Sequence, residues 1–270
     1  MAQRVLITGA SSGIGKAAAS LFHEHGWNVA ATMRNPENAG ADFAQKGMIV
    51  PKLDVTQPET IASAVDETIS AFGGIDVLVN NAGYALVGPF ETMTPEQLER
   101  QFATNVLGLM NVTRAVLPHF RAQGAGTVIN VSSVAGRVAF PFMSVYHGSK
   151  WAVEGFSESL QYELRRFNIR VKVVEPGPVK TDFYDRSLDV GADPSVTAYD
   201  ALFKASEAGL RNTVDRMGAL PEVTARVICR AATDRSWRLR YPAGGGAAPI
   251  LWLRRLIPER LFQTIVRMAA

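Results

Sequence analysis

The residues best suited to chemistry are Tyr146 and Lys150, in the run Tyr146-His147-Gly148-Ser149-Lys150. On a helix, residues four apart share a face. An ammonium beside a phenol favours the phenolate, and so brings a proton that ordinarily leaves at about pH 10 into use near neutrality. Such a tyrosine can give up and take back a proton. Of six tyrosines, only Tyr146 has a lysine four residues on. The spacing arises readily by accident, so the pair counts only with its company.

Thr8-Gly9-Ala10-Ser11-Ser12-Gly13-Ile14-Gly15 joins an apolar run, Val5-Leu6-Ile7, to a helix pattern. Glycines let a backbone turn sharply and approach a pyrophosphate, and the helix start behind them offers N–H groups and a positive dipole end. The spacing is Gly-x-x-x-Gly-x-Gly, not Gly-x-Gly-x-x-Gly. A ligand-free turn is one reading and a dinucleotide cradle the other; the strand–turn–helix setting favours the cradle. After Thr32-Met33-Arg34, no acid appears before Glu37. An acid there would hold the ribose 2′-hydroxyl of NAD, whereas Arg34 suits the 2′-phosphate of NADP. Arg34 as a plain surface arginine is the alternative.

Three further turns fall at the same ends of apolar runs: Asn80-Asn81-Ala82-Gly83, Ser132-Ser133 and Pro176-Gly177-Pro178. Each alone is ordinary turn chemistry. Together they place four polar or glycine-rich turns on one rim, the carboxyl edge where open α/β sheets bind ligands.

The elements that must build this rim follow from the periodicity. Strands are predicted at 5–7, 28–33, 48–53, 75–79, 127–131 and 169–174, with a short one at 238–241. Helices are predicted at 14–25, 37–45, 58–72, 95–121, 144–167 and 221–232. Thr94-Pro95-Glu96-Gln97 combines a capping box with proline at the first helical position. Buried strands alternating with helices imply a doubly wound parallel sheet, Rossmann-like, in three α/β/α layers. One domain over 1–270 with a C-terminal helical extension is expected. From Pro176 to about Leu220 the periodicity weakens, and long irregular stretches often serve function.

Composition narrows the classes. With 47% hydrophobic residues and 20% charged, 270 residues can bury a continuous core. A net charge of +3 argues against a nucleic-acid binder. The single cysteine, Cys229, permits no intrachain disulfide and fits a reducing cytoplasm. No signal peptide or membrane-spanning run is read.

With these motifs in order, the chain resembles the single-domain branch of the short-chain dehydrogenase/reductase family, over roughly residues 3–182. Asp54 and Asn105 add to the resemblance. It implies catalytic roles for Asn105, Ser133, Tyr146 and Lys150: the tyrosine as acid/base, the serine on the substrate oxygen, the asparagine bending its helix and holding a water. It implies cofactor contacts from Gly9, Ser11, Ser12, Gly13, Ile14 and Gly15, and from Arg34. Asp54 and Val55 would face the adenine and Asn81, Ala82 and Gly83 its ribose. Tyr146 and Lys150 would reach the nicotinamide ribose, and Pro176, Gly177, Val179 and Thr181 the carboxamide side. Arg34 makes NADP the expected cofactor, and Ser12, standing where NADP-preferring members often carry a basic residue, keeps NAD as the alternative. Members acting on retinoids, hydroxysteroids and other lipophilic alcohols or ketones are the most similar, and imply a homodimer or homotetramer built on the two long helices.

Other features are given plainer readings. His147 is off the Tyr146 face and is read as non-catalytic; the remaining histidines lack metal-ligand spacing, so no metal is expected. Cys229 is read as packing. Residues 182–220, starting at the mouth of the site, are read as a substrate lid, with a surface excursion of two short helices as the alternative. From Arg235 to Ala270 seven arginines meet one acid, Glu259. Within that tail, 249–268 is read as amphipathic helices split at Pro258. They either pack over the cleft or a subunit interface, or touch an anionic membrane surface. A non-catalytic NADP-sensing protein on the same fold is the competing function.

Overall fold

The computed structural model describes residues 2–38, 40–45, 47–181, 188–191 and 193–269. Strands β1 (Arg4–Ile7), β2 (Asn28–Ala31), β3 (Val77–Asn80), β5 (Gly126–Val131), β6 (Ile169–Pro176) and β8 (Arg240–Ala243) form one sheet in the order β2-β1-β3-β5-β6-β8. Every pairing is parallel. The chain leaves β1 for β2 on one side and returns to β3 on the other. That reversal opens a crevice beyond the carboxyl ends of β1 and β3.

Helices cover both faces. On one, α1 (Gly13–Glu24) and α8 (Pro221–Thr233) bury Ala18, Phe22, Ala225 and Ile228 against Val5, Ile7 and Val79. On the other, α3 (Pro58–Phe72), α5 (Leu109–Gln123) and α6 (Ser144–Leu164) bury Ile61, Val65, Val116, Phe120 and Leu160 against Leu6, Leu78 and Val128. Alternate residues of each strand serve alternate faces, so strands such as β3 are apolar throughout.

Four expectations need correction. The strand expected at 48–53 is reduced to isolated parallel bridges, Ala30 with Ile49 and Met33 with Lys52. Pro51 has no N–H to give and interrupts the ladder. Of the helix expected at 37–45, the described residues form a 3₁₀ turn, Pro36–Asn38, and α2, Gly40–Gln45. The helix that α4 (Pro95–Phe102) starts does run on into α5, but through a π-helical turn, Ala103–Gly108. The stretch after Pro176 is more regular than its sequence suggests. A short pair, β4 (Ala85–Val87) with β7 (Leu188–Val190), stands apart from the main sheet, and α7 (Asp200–Met217) follows. In α7 only Val214 is buried, so no apolar stripe marked it in the sequence. Within the expected lid, residues 182–187 and Ala192 lie outside the described residues. The tail forms α9 (Ala247–Leu256) and α10 (Glu259–Ala269), on either side of Ile257-Pro258. Among the described residues, no helix is long and apolar enough to cross a membrane.

Candidate active site

The glycine-rich turn is stitched directly to the turn after β3. Thr8 Oγ1 accepts from the backbone N–H groups of Asn81 and Ala82 at 3.0 and 3.1 Å. The Asn81 amide donates back to the Thr8 and Gly9 carbonyls at 3.0 and 3.1 Å. Gly9 sits at φ +67°, a left-handed conformation in which a side chain is strained. Gly15 is glycine for space: a Cβ there would strike the Gly9 carbonyl and stand 2.5 Å from the Asn81 amide. Behind them the first turn of α1 points its N–H groups at the crevice, with Ser11 exposed, Ser12 and Gly13 half-buried, and Ile14 packed on the core. Thr181 lies across the turn, 3.5 Å from where a Gly13 Cβ would be. Val179 is tied by a bridge to Ala219, and the Gly177 N–H donates to Ala243 at 3.1 Å, fixing the Pro176-Gly177 turn beside β8.

Asn105 lies in the π-helical turn. Widening a helix by one residue frees backbone groups, and such turns recur at functional sites. The Asn105 amide donates to the Tyr84 carbonyl at 2.9 Å and to Ser149 Oγ at 3.2 Å, and its Oδ1 accepts from the Tyr84 N–H at 3.1 Å. One side chain thereby joins α6 to the segment after β3. At the end of the turn Gly108 presses on Val55, where a Cβ would come within 2.6 Å of the Val55 side chain. Gly83 fills the gap beside Asn105: a Cβ there would lie 3.0 Å from Asn105 Oδ1 and 3.8 Å from Lys150 Nζ.

Tyr146 and Lys150 share a face of α6, both buried, with the ammonium 5.9 Å from the tyrosine ring centre. Lys150 Nζ donates to the Val131 carbonyl at 3.0 Å, at the end of β5. Burial pulls its pKa down to about 8, against the opposing pull of the Glu154 carboxylate. Ser133 follows the same strand. Its Oγ accepts from the Ala135 N–H at 3.1 Å, opening a 3₁₀ turn at Val134–Gly136, and stands 3.5 Å from the Pro176 carbonyl. Around Tyr146 pack Ala85, Val87, Ala135, Met143, Leu188 and Phe203, an apolar cluster completed by β7 and α7.

Arg34 and Asp54 line an open cavity of about 580 Å³ at the β2 end of the rim, together with Lys52, Gln57 and Thr60. One Asp54 oxygen is engaged by the Thr56 N–H and hydroxyl at 2.9 and 2.7 Å. Lys52 is a second cation that sequence reasoning missed. Its signal was there, two residues before Asp54 at the end of an edge segment that pairs with Met33.

A buried charged group behind Lys150 was also missed. Glu154 and Glu175 are both buried. Arg240 Nε lies 3.0 Å from Glu154 and 3.9 Å from Glu175, and Arg137 lies 3.5 Å from Glu175. Burial, reinforced by Glu154, pushes the Glu175 carboxyl up to about 7. His147 plays a structural part. Its Nε2 accepts from the Phe140 N–H at 3.0 Å, so Nδ1 carries the proton and donates to the Ala135 carbonyl at 2.8 Å. Burial lowers its pKa below the usual histidine value. Cys229 is buried in α8, and burial pushes its thiol up to about 12. Among the described residues no cluster of metal-ligating side chains occurs.

The family model for short chain dehydrogenase matches residues 3–189. The chain belongs to the short-chain dehydrogenase family. It is an oxidoreductase of that family, and relatives span nearly its whole length. A 3-ketodihydrosphingosine reductase of Bacteroides thetaiotaomicron is 36% identical over 90% of this chain and 88% of its own. Retinol dehydrogenase 8 of Bos taurus is 35% identical over 94% and 86%. Among solved structures, a short-chain dehydrogenase from Streptomyces avermitilis superposes with a TM-score of 0.83 at 33% identity, over 94% of this chain and 93% of that one. A family member from Burkholderia phymatum in complex with NAD gives 0.81 at 26%, over 94% and 92%. ElxO with NADP bound gives 0.75 at 25%, over 92% and 100%.

Proposed function

We propose that this family member is an NADP(H)-dependent enzyme that moves a hydride between the nicotinamide and a lipophilic alcohol, ketone or aldehyde, of retinoid, steroid or similar type, with Tyr146 as the acid/base. The observation that carries this is Tyr146 itself. Its ring packs in an apolar cluster with a buried ammonium 5.9 Å away, on the rim that also carries the glycine turn.

The glycine turn suits a pyrophosphate, because the space a Gly15 side chain would need is already closed and the helix start faces the crevice. Arg34 and Lys52 suit a 2′-phosphate, which two cations in an open cavity attract through charge-assisted hydrogen bonds. The NAD and NADP bound to the two structural relatives keep NAD as the alternative. When bound, the cofactor supplies the hydride. Asn81, Ala82, Gly83, Asp54 and Val55 would flank its adenosine half, and Pro176, Gly177, Val179 and Thr181 its nicotinamide.

The protein's own part is the proton and the oxygen. Tyr146 gives its hydroxyl proton to a forming alkoxide, or takes one from an alcohol. Lys150 favours the phenolate by charge. Ser133 holds the substrate oxygen, and Asn105 keeps α6 in register and would hold a water that carries protons to Lys150. The residues after Thr181 act as a lid, supported by Leu188 and Phe203 packing at Tyr146. Apolar side chains exposed on the long helices, Phe102, Leu107 and Trp151, support a homodimer or homotetramer. A single buried thiol fits a cytoplasmic setting. The names of the retinol and 3-ketodihydrosphingosine relatives support the lipophilic substrate.

The test is a panel of lipophilic ketones, aldehydes and alcohols followed by NADPH absorbance, with Tyr146→Phe beside the parent. Turnover on at least one member, lower by at least about 10²-fold in the variant with NADPH affinity retained, is the expected result. Equal turnover by parent and variant removes Tyr146 from the chemistry.

A further inference from the structure

A surface helix ordinarily turns its apolar stripe inward. The tail turns only part of its apolar residues inward. In α9 the outward positions are Trp252, Leu253 and Leu256, at 59, 40 and 70% exposure. In α10 they are Leu261 and Ile265, at 51 and 40%. Ala247 and Phe262 are the buried residues that anchor the two helices. The Arg254 guanidinium lies 5.3 Å over the Phe262 ring and packs one helix on the other.

The charge on this face has one sign. Among the described tail residues Glu259 is the single acid, and it pairs with Arg254 at 3.8 Å. No carboxylate of the described residues pairs with Arg255 or Arg260, both exposed. Arg255 instead stands 6.0 Å over the Trp252 ring. Large apolar side chains, a tryptophan and unneutralised arginines on short amphipathic helices are what an interfacial lipid site requires. A second copy of the chain fits less well, since a self-pairing contact would set the arginines of both copies against each other.

We propose that α9 and α10 dock this protein on an anionic lipid bilayer, with Trp252, Leu253, Leu256, Leu261 and Ile265 in the headgroup boundary and Arg255 and Arg260 on lipid phosphates. The position of the tail adds a consequence. α9 packs against the 3₁₀ turn that follows Ser133 and against β8, and Ala135 of that turn belongs to the apolar cluster at Tyr146. A docked tail therefore holds the protein at the membrane, where lipophilic substrates are dissolved.

The experiment is co-sedimentation of the full chain with vesicles of phosphatidylcholine alone and of phosphatidylcholine and phosphatidylglycerol in equal parts. It needs neither cofactor nor turnover, so its failure and a failure of the proposed reaction are separate results. Binding to the mixed vesicles is expected to be at least about tenfold tighter than to the neutral ones, and to weaken in high salt. Two double variants, Trp252→Ser with Leu256→Ser and Arg255→Ala with Arg260→Ala, are each expected to bind at least about tenfold more weakly. Their unfolding temperatures should match the parent, because all four side chains are exposed. Three results would overturn the proposal. One is no binding to the mixed vesicles, or equal binding to both kinds. Another is equal binding by parent and variants. The third is a dimer in light scattering that dissociates in the Trp252 and Leu256 variant, which would make the face a contact between copies.

Discussion

Lys150→Met removes the ammonium and keeps most of the stem, and the geometry gives two opposite expectations for it. At an effective dielectric of about 20, a unit charge 5.9 Å from the Tyr146 ring changes the energy of a phenolate there by about 3 kcal/mol. If the phenolate is formed in the rate-limiting step, turnover should fall by about 10²-fold. Stability should move the other way. Burial lowers the lysine from 10.5 to about 8, so keeping it protonated in the fold costs about 3 kcal/mol. Loss of the hydrogen bond to Val131 offsets about 1 kcal/mol of that. At neutral pH the variant should therefore be about 2 kcal/mol more stable. The sign follows from the linkage: a lowered folded-state pKa penalises the protonated lysine below about 8, and the penalty vanishes above the unfolded value of 10.5. The assays are NADPH oxidation on the best substrate of the panel and thermal unfolding at neutral and alkaline pH. A variant that turns over within about tenfold of the parent would refute the electrostatic role. A variant that unfolds earlier than the parent would show Lys150 to be chiefly a structural tie.

Glu154→Gln removes the carboxylate that holds the Lys150 pKa up, so the alkaline loss of activity should begin at lower pH than in the parent; an unchanged pH profile of kcat would sever the two residues. Arg34→Ala with Lys52→Ala should weaken NADPH binding by at least about tenfold and leave NADH binding nearly unchanged, as titrations of cofactor fluorescence can report; equal losses for both cofactors would place the two cations away from the 2′-phosphate. Asp189 fastens β7 to α4 through Gln97 at 2.8 Å and Arg100 at 2.7 Å. In Asp189→Ala, amides across 188–191 should exchange faster and KM should rise with kcat little changed, and exchange that is no faster would deny that Asp189 holds the segment down.

The sequence by itself determined that the chain folds around a parallel sheet and which of its turns lie on the carboxyl rim. Strand runs apolar on both faces allow only a buried parallel sheet, and the turns that follow such strands must lie at their carboxyl ends. Tyr146 and Lys150 were legible because helical spacing of four fixes them on one face whatever surrounds them. The tertiary structure alone decided what joins distant segments. Lys52 became a second cation beside Arg34 only when the edge segment lay against Met33. Glu154 and Glu175, 21 residues apart in the chain, became one buried group only when Arg240 of β8 reached both. The apolar cluster at Tyr146 needed Leu188 and Phe203, carried there by a strand and a helix too exposed to leave a periodic stripe. The outward face of α9 and α10 follows the same logic: the amphipathic pattern of the tail was visible, but which side would meet the body depended on how Ala247 and Phe262 anchored it. Local periodicity reports which residues share a face; what that face meets is set by contacts between segments far apart in the chain, and those exist only in the folded molecule.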